Sequence, residues 1–381
     1  MPIPTSVQVV TRAPDGSNPM WLGQVGHVTG LSLSHAVPGG PDQLSCVLQT
    51  TTAGRPVAIQ AGRRVKAYAG VRPVWDGQLD EPTPGGDGWQ VVAHGAGAFG
   101  QQFNAIWTAT WASGAAPSDA VDQAISRGMR WVNPGFNPPP SGAWMGQVPD
   151  NASLKIADVL NLLCSRGGLT WQVKCTAGGN VLGFITVPVA PVTPTRLLVA
   201  TGPVARTIGG VVNAITLRYQ VSTDSSGGAT YNTTTVTNAA MIAMYGRSEQ
   251  FLDISNAGNQ TAGQAQAVGN WVLNRYQQAA FGGPFTITPG QYLTARGSRV
   301  NLATEQAGEV VRLLVSDYGG AVSAGVPVTF LVGAYSYDEE SGTAQVTPFG
   351  SVRTDFTTLA GVRTDFHHGP GDPFGLKGTH I

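Results

Sequence analysis

Apolar and polar positions along this chain alternate in short runs, and one stretch breaks the habit. Phe251 and Asp253 alternate with Leu252 and Ile254, the period of a half-buried strand. Asn256, Gly258 and Asn259 then interrupt it. Thr261 followed by Gln264 forms a capping box, and Ala265, Val268, Val272 and Ala279 recur behind it at helical spacing. Gly282-Gly283-Pro284 supplies a stop, because Gly tolerates the left-handed exit and Pro cannot continue the helical ladder. The pattern predicts one sizeable amphipathic helix over about 261–280 in a chain that otherwise reads as strands.

Residues 1–100 read as a β domain. Short apolar or alternating segments at Gln8–Val10, His27–Leu33, Gln43–Leu48, Arg64–Ala69, Val74–Leu79 and Trp89–His94 are separated by turn chemistry such as Val37-Pro-Gly-Gly-Pro41 and Pro84-Gly-Gly-Asp-Gly88. Residues 101–195 change character and read as an inserted α+β domain. Ser118-Asp119 caps a predicted short helix to Met129, and a Pro-, Gly- and Trp-rich loop follows from Trp131 to Val148. Ser153 caps a second helix with Leu154, Ala157, Leu160, Leu163 and Cys164 on one face. A hairpin over 169–173 and 181–187 comes next, and Pro188, Pro191 and Pro194 mark a stiff boundary.

Residues 196–350 return to β. Val211–Val221 is the most regular strand, with Ile215, Leu217 and Tyr219 on one side and Thr216 and Arg218 on the other. The polar tract Thr223–Thr237 reads as a long hairpin tip or loop, and strands are expected at 298–302, 310–315, 328–336 and 343–347. From residue 351 the chain carries an echo: Val352-Arg-Thr-Asp-Phe356 recurs as Val362-Arg-Thr-Asp-Phe366. Residues 351–381 have no core-forming pattern and read as an extended arm.

Composition narrows the functional classes. Only 12% of the residues are charged and the net charge is zero, with no basic cluster, which argues against nucleic acid as a specific ligand. No apolar run is long enough to span a bilayer, and Met1-Pro-Ile-Pro4 lacks the regions of a signal peptide, so synthesis in a cytoplasm is expected. Cys46, Cys164 and Cys175 lack metal-type spacing and read as small buried hydrophobes, a Cys164–Cys175 disulfide being the alternative.

The search for catalytic chemistry is mostly negative. His367 and His368 with Asp365 and Asp372 form the densest set of potential metal ligands, but adjacent histidines in an extended segment point to opposite sides. His27, His35 and His94 lie in strand-like sequence and read as core or interface residues rather than members of a triad. Asp76, Asp80 and Glu81 form one carboxylate cluster and Asp338, Glu339 and Glu340 another; either pair chemistry would suit a glycosidase, though the second set occupies an obvious turn. Five of the nine Trp residues fall between 107 and 171, fitting a sugar platform or, more plainly, the filling of a small core. The expectation is no catalytic residue, no metal and no cofactor.

Several stretches together resemble a known family. Pro38-Gly-Gly-Pro-Asp-Gln-Leu-Ser-Cys-Val-Leu48, Ala61-Gly-Arg-Arg-Val-Lys-Ala-Tyr-Ala-Gly70, Val74-Trp-Asp-Gly-Gln-Leu79 and Gly88-Trp-Gln-Val-Val-Ala-His-Gly95 look like the opening domain of siphophage minor tail proteins, the baseplate hub family. Asp150–Val173, Val212–Tyr219, Tyr245-Gly246-Arg247 with Glu249, the Thr261 helix, and Gly308–Arg312 are similar to that family's later domains. The likeness covers roughly residues 20–350 and leaves the arm aside. It implies a mainly β fold with an α+β insertion: tube-like β-barrel domains at 1–100 and 196–350, an inserted domain at 101–195, and the arm at 351–381. It implies a non-enzymatic virion protein, a homotrimeric hub at the tail tip that adapts a six-fold tube to a three-fold tip. Its partners would be the distal tail protein, the tape measure protein and the central fibre or receptor-binding proteins. The hexameric distal tail protein, a wall-degrading tail enzyme and a glycan-binding tail module are the alternatives. The arm, with its twin segments, would add strands to a neighbouring subunit or to the central fibre.

Overall fold

The computed structural model describes residues 7–51, 54–98, 104–106, 129, 131–133, 153–157, 160–161, 164, 169–186, 193–200, 212–255, 259–277, 284–315 and 328–349. The predicted helix over 118–129, the Gly282-Gly283-Pro284 stop and the arm lie outside these residues, apart from Met129 and Pro284.

Strands β1 (Val7–Arg12), β2 (Met20–Trp21), β3 (His27–Ala36), β4 (Gly40–Gln49), β5 (Arg64–Ala69), β6 (Arg72–Leu79), β7 (Thr83–Gly85) and β8 (Gly88–Gly95) open the chain, with one helical turn, α1 (Leu22–Val25), after β2. The middle contains β9 (Asn104–Ile106), β10 (Val132–Asn133), β11 (Ser153–Lys155), β12 (Leu169–Thr176) and β13 (Gly179–Thr186). Then come β14 (Arg196–Ala200), β15 (Ala214–Thr223), β16 (Ala229–Thr237), α2 (Ala239–Tyr245), β17 (Glu249–Asp253) and α3 (Ala262–Gln277). The last described part holds β18 (Phe285–Ile287), β19 (Tyr292–Thr294), β20 (Val310–Val315), β21 (Val328–Asp338) and β22 (Thr343–Pro348).

The fold is mainly β, as the turn-punctuated pattern predicts. Its body is a fourteen-stranded sheet in the order β19-β14-β20-β21-β3-β4-β8-β6-β5-β1-β2, with β7 on β8, β22 on β21 and β18 on β22. Among the described residues no pair closes this path into a barrel. Its centre is a pairing between opposite ends of the chain: β3 and β21 run antiparallel with His35 opposite Tyr335 and Leu33 opposite Tyr337. Two cores flank that junction. Leu33, Leu44, Cys46, Leu48, Val65, Trp75 and Val91 fill the N-terminal one. Tyr292, Val311, Phe330, Leu331, Tyr335 and Val346 fill the C-terminal one. Alternation does the sorting: in β4 Leu44, Cys46 and Leu48 are buried while Gln43 and Gln49 are exposed.

A separate unit grows out of this body. In the three-stranded sheet β16-β15-β17, Ile215, Leu217, Val236, Leu252 and Ile254 pack with Ala265, Val268 and Val272 of α3. The capping box is made as the sequence predicts: the Gln264 amide N–H donates to Thr261 Oγ1 (3.3 Å) and the Thr261 N–H to Gln264 Oε1 (2.8 Å). Gly269 lets the helix approach closely, since a Cβ there would lie 2.5 Å from Leu217 Cδ1.

Three local expectations give way. The tract Thr223–Thr237, expected as a long hairpin tip or loop, does belong to a hairpin, but the tip is short and 229–237 is strand β16, paired with β15; an edge strand needs few apolar residues, and Val236 is its one buried side chain. Ser153 opens strand β11 against β9 instead of capping a helix, and helical residues begin at Ile156, with Ala157, Leu160 and Cys164 buried as the pattern requires. The stretch 298–302 forms no strand: Leu302–Thr304 is a short 3-10 turn whose Ala303 N–H is capped by Asn301 Oδ1 at 3.0 Å. The three cysteines are buried free thiols.

Candidate functional site

The most heavily constrained polar region is the seam around β12, where three distant parts of the chain meet. The Gly39-Gly40 turn, with Val37-Pro38 in the cis form, brings the β3–β4 hairpin against the middle of β12. The Val173 N–H donates to Gly39 O (2.7 Å), and the Gly39 N–H to Trp171 O (3.3 Å). The approach needs glycine. At Gly40, φ is +138° and a Cβ would lie 2.4 Å from Val173 O. From the other side comes the loop before β20: the Cys175 N–H donates to Gln306 Oε1 and Gln306 Nε2 donates back to Cys175 O, each at 3.2 Å. Gln172 Nε2 donates to Ala307 O. Gln172 and Gln306 are both buried, and each has partners, as buried amides require.

Charges line the ends of this seam in matched pairs. Arg196 grips Glu305 through two bonds, Nε to Oε2 at 2.6 Å and Nη2 to Oε1 at 3.1 Å. Lys174 Nζ lies 3.2 Å from Glu309 Oε1, and Thr195 Oγ1 donates to Glu309 Oε2 at 2.7 Å. Burial pushes the Glu305 carboxyl above its usual range, and the Arg196 pairing only partly offsets it. Burial also works on Glu309, but Lys174, Arg196 and Thr195 outweigh it and hold that carboxyl below the usual range. Such a seam fixes backbone segments. Its carboxylates and basic groups are paired with one another.

The sequence-predicted candidates separate rather than converge. Asp76 is buried and neutralised by Arg64 (Nε–Oδ1 2.9 Å, Nη2–Oδ2 2.6 Å) and Lys66 (3.4 Å). Asp80 is exposed and pairs with His94 Nε2 at 3.2 Å, while Glu81 pairs with Arg55. In the second cluster Asp338 accepts from the Ser341 hydroxyl (2.6 Å) and N–H (2.7 Å), which lower its pKa, as befits a turn former. Glu339 accepts the Val7 N–H at 3.1 Å and its carboxyl is raised by burial. Neither trio presents two free facing carboxylates. His35 is buried in the β3–β21 junction, where desolvation lowers its pKa to about 3, and His27 is exposed. Among the described residues no cluster of His, Cys, Asp or Glu could hold a metal ion, and His367, His368, Asp365 and Asp372 lie outside them.

The tryptophans form no shared platform among the described residues. Trp75 and Trp171 are core residues, and Trp171 Nε1 donates to Asn161 Oδ1 at 2.8 Å. Trp131 adopts φ 61° and lies under the Arg64 guanidinium, 4.7 Å from the ring centroid, so it ties the inserted segment to the Asp76 site. Trp144 lies outside the described residues. A shallow depression of about 400 Å³ lies at Gln49, Thr50 and the Pro84–Trp89 hairpin.

Nothing in the sequence marks Gln172, Arg196, Glu305, Gln306 and Glu309 as seam residues, although Gln172 falls in the predicted 169–173 strand and Glu309 in the Gly308–Arg312 stretch. An isolated Gln in a strand or an acidic pair in a turn carries no periodic signal; the Gly39-Gly40 and Gly308-Glu309 pairs mark the spot, and only as turns.

No family model matches the chain, and no curated protein matches its sequence. Solved structures do share its fold. A tail protein from Neisseria meningitidis MC58 aligns with a TM-score of 0.58 at 11% identity, covering 90% of this chain and 95% of that one. The prophage MuSo2 43 kDa tail protein from Shewanella oneidensis gives 0.58 at 15% identity, covering 89% and 97%. The prophage tail protein gp18 from Listeria monocytogenes EGD-e gives 0.54 at 10% identity, covering 93% and 99%. At these identities the likeness is one of fold, and over about nine-tenths of its length the chain is built like these three tail proteins.

Proposed function

We propose that the chain is a structural subunit of a phage-type tail and that it serves as the hub at the tail tip. Three copies would form a ring that closes the tail tube, with the two strand-rich lobes of each copy taking the tube-like positions. It would meet the distal tail protein and tape measure protein on one side and the central fibre or receptor-binding proteins on the other. The observation that carries this reading is the shared fold over about nine-tenths of both chains with the Neisseria, Shewanella and Listeria tail proteins. In this role the chain is non-enzymatic; of the candidate carboxylates, Asp76 is locked between Arg64 and Lys66. Low overall charge also suits interfaces whose centres are depleted of charge.

The test is electron-microscope class averaging of assembled tails carrying a C-terminal label on this chain. Three labels around a central channel at the tip are expected. Six labels would replace the hub by a hexameric distal tail protein, and tails lacking the label would remove the structural reading altogether.

A further inference from the structure

Sheet edges distinguish one strand from all the others. An open edge displays unpaired N–H and C=O groups, and proteins blunt it with shortness, charge, proline or a cover. The other described edges follow that rule: β9, β10, β11 and β18 have two or three residues, and β12, with eight, carries Lys174 and is covered by Gly39 and Gln306. β2 has two residues and β19 three; β7 has three, including Pro84 and Gly85; β17 has five and carries Glu249 and Asp253. β16 departs from it. Its nine residues, Ala-Thr-Tyr-Asn-Thr-Thr-Thr-Val-Thr, include no charge, no proline and no glycine.

The phase of its open side is fixed. The Asn238 N–H donates to Asn213 O at 2.9 Å, so the even-numbered residues of β16 bond to β15 and the odd-numbered ones direct their backbone groups outward. The Thr233 N–H is taken by Asn232 Oδ1 at 2.8 Å. By the same phase the N–H groups of Tyr231, Thr235 and Thr237 point away from β15. Their side chains line the sheet face away from α3, where Thr235 meets Thr216 at 2.8 Å and Arg218 lies 4.2 Å from the Tyr231 ring centroid.

The same chain carries a segment suited to such an edge, twice. In extended form Val-Arg-Thr-Asp-Phe places Val, Thr and Phe on one face and Arg and Asp on the other, and β-branched and aromatic residues favour strands. The copies Val352–Phe356 and Val362–Phe366 start ten residues apart, roughly 33 Å of extended chain. The two copies differ in reach. The first donor starts three residues after Phe349, whose N–H is anchored on Leu331 O, so it stays within about 10 Å of the main sheet. The second starts thirteen residues after Phe349 and reaches about 43 Å.

We infer that the outer edge of β16 is a strand-acceptor site and that its occupant is the Val362–Phe366 segment of a neighbouring copy of this chain. The added strand would bond the outward backbone groups of Tyr231, Thr235 and Thr237, with main-chain bonds giving the affinity. A strand passed from copy to copy is a head-to-tail contact, the type that closes rings. The inference rests on the reading that copies stand side by side in an assembly, and it names how they are tied.

The experiment uses full-length chains and amide hydrogen exchange. In wild-type protein the amides of Tyr231, Thr235 and Thr237 should exchange at least about tenfold more slowly than in the double variant Thr354→Pro/Thr364→Pro, because proline removes a ladder N–H from each donor. An isotope-labelled double variant mixed with unlabelled wild type should regain the slow exchange, since the donor then comes from another chain. Equal rates in wild type and variant would overturn the site. Protection lost in the variant but not regained on mixing would overturn the neighbouring-copy donor. The amides of Ile215 and Leu217, on the covered side of β16, report whether the variant keeps its fold. If they too exchange fast, Thr235→Pro in the wild-type chain replaces the double variant, and unchanged assembly by that chain would sink the idea. This readout needs no tail, so a chain that exchanges strands but never enters tails would remove the hub function and leave the acceptor site standing.

Discussion

Arg196→Met is the sharpest test of what holds the seam together. The side chain of Glu305 is 3% exposed and takes two bonds from Arg196. Removing the guanidinium leaves a buried carboxylate without its partner, a change that costs about 3–5 kcal/mol. Even at a modest 2–3 °C for each kcal/mol, the melting temperature should fall by roughly 10 °C. The pH dependence has a definite sign. Burial already raises the Glu305 pKa above 4.5, and losing Arg196 raises it further. A group whose folded pKa is raised contributes most below its unfolded value and loses that contribution as pH rises through the folded value. The variant's deficit should therefore be small near pH 4.5, where Glu305 can accept a proton, and full at pH 8. Arg196→Met/Glu305→Gln should recover most of the loss at pH 8, since an amide carries no charge to strand. Thermal melts of wild type, single and double variants at the two pH values make the measurement. A deficit that is the same at both pH values, or a double variant as unstable as the single, would refute the account of a desolvated charge held by its partner.

Other perturbations separate the remaining claims. Gly40→Ala should destabilise by at least about 2 kcal/mol in denaturant titrations, because the new Cβ meets Val173 O at 2.4 Å on a residue at φ +138°; a neutral effect would mean that the turn and β12 do not pack so tightly. Leu252→Ala should cost about 2–5 kcal/mol, while its neighbour Phe251→Ala, 57% exposed, should stay within about 0.5 kcal/mol; equal losses would contradict the assigned faces of β17. Asp76→Asn should lower stability, by uncoupling Arg64 and Lys66, without altering any peptidoglycan hydrolysis by tails; lost hydrolysis in a folded variant would restore the carboxylates as catalysts.

Local chemistry was legible in the sequence wherever one short stretch held the whole signal. The Thr261–Gln264 box, the apolar stripe of α3 and the Leu252/Ile254 face each needed one short window, and they appear as read, Ala279 of the stripe lying outside the described residues. The failures share a cause, which is that the deciding partner lay elsewhere. β16 is polar because β15 and α3 supply the apolar packing, so a Thr-rich strand reads as the tip of a hairpin or a loop. Leu154 fitted a helical stripe, yet β9 captured its backbone in a ladder. The pairing of Gln172 with the loop at Ala307 and of Cys175 with Gln306 joins residues that no window spans. The β3–β21 ladder is invisible for the same reason, although each strand alone was recognised.

That ladder sets how the molecule can move. The N- and C-terminal lobes share one sheet, and the junction is reinforced beyond it: the Val37 N–H donates to Gly333 O at 2.7 Å, the Glu339 N–H to Leu31 O at 2.9 Å, and the Val7 N–H to the Glu339 carboxylate. β12 then spans the seam, held by Gly39 on one side and Gln306 on the other. Separating the lobes would break all of these bonds and expose the buried His35 and Tyr335, so the two lobes move as one body. In the proposed ring, widening of a channel for DNA must then occur between subunits, at contacts such as the β16 edge, and not within one. Ser34 and Ser336 face each other across the junction and allow a direct check. A disulfide between Ser34→Cys and Ser336→Cys should leave tail assembly and DNA delivery unchanged, and reduction should make no difference. Tails that assemble but deliver DNA only after reduction would show that the lobes part during opening, and the rigid-body argument would fail.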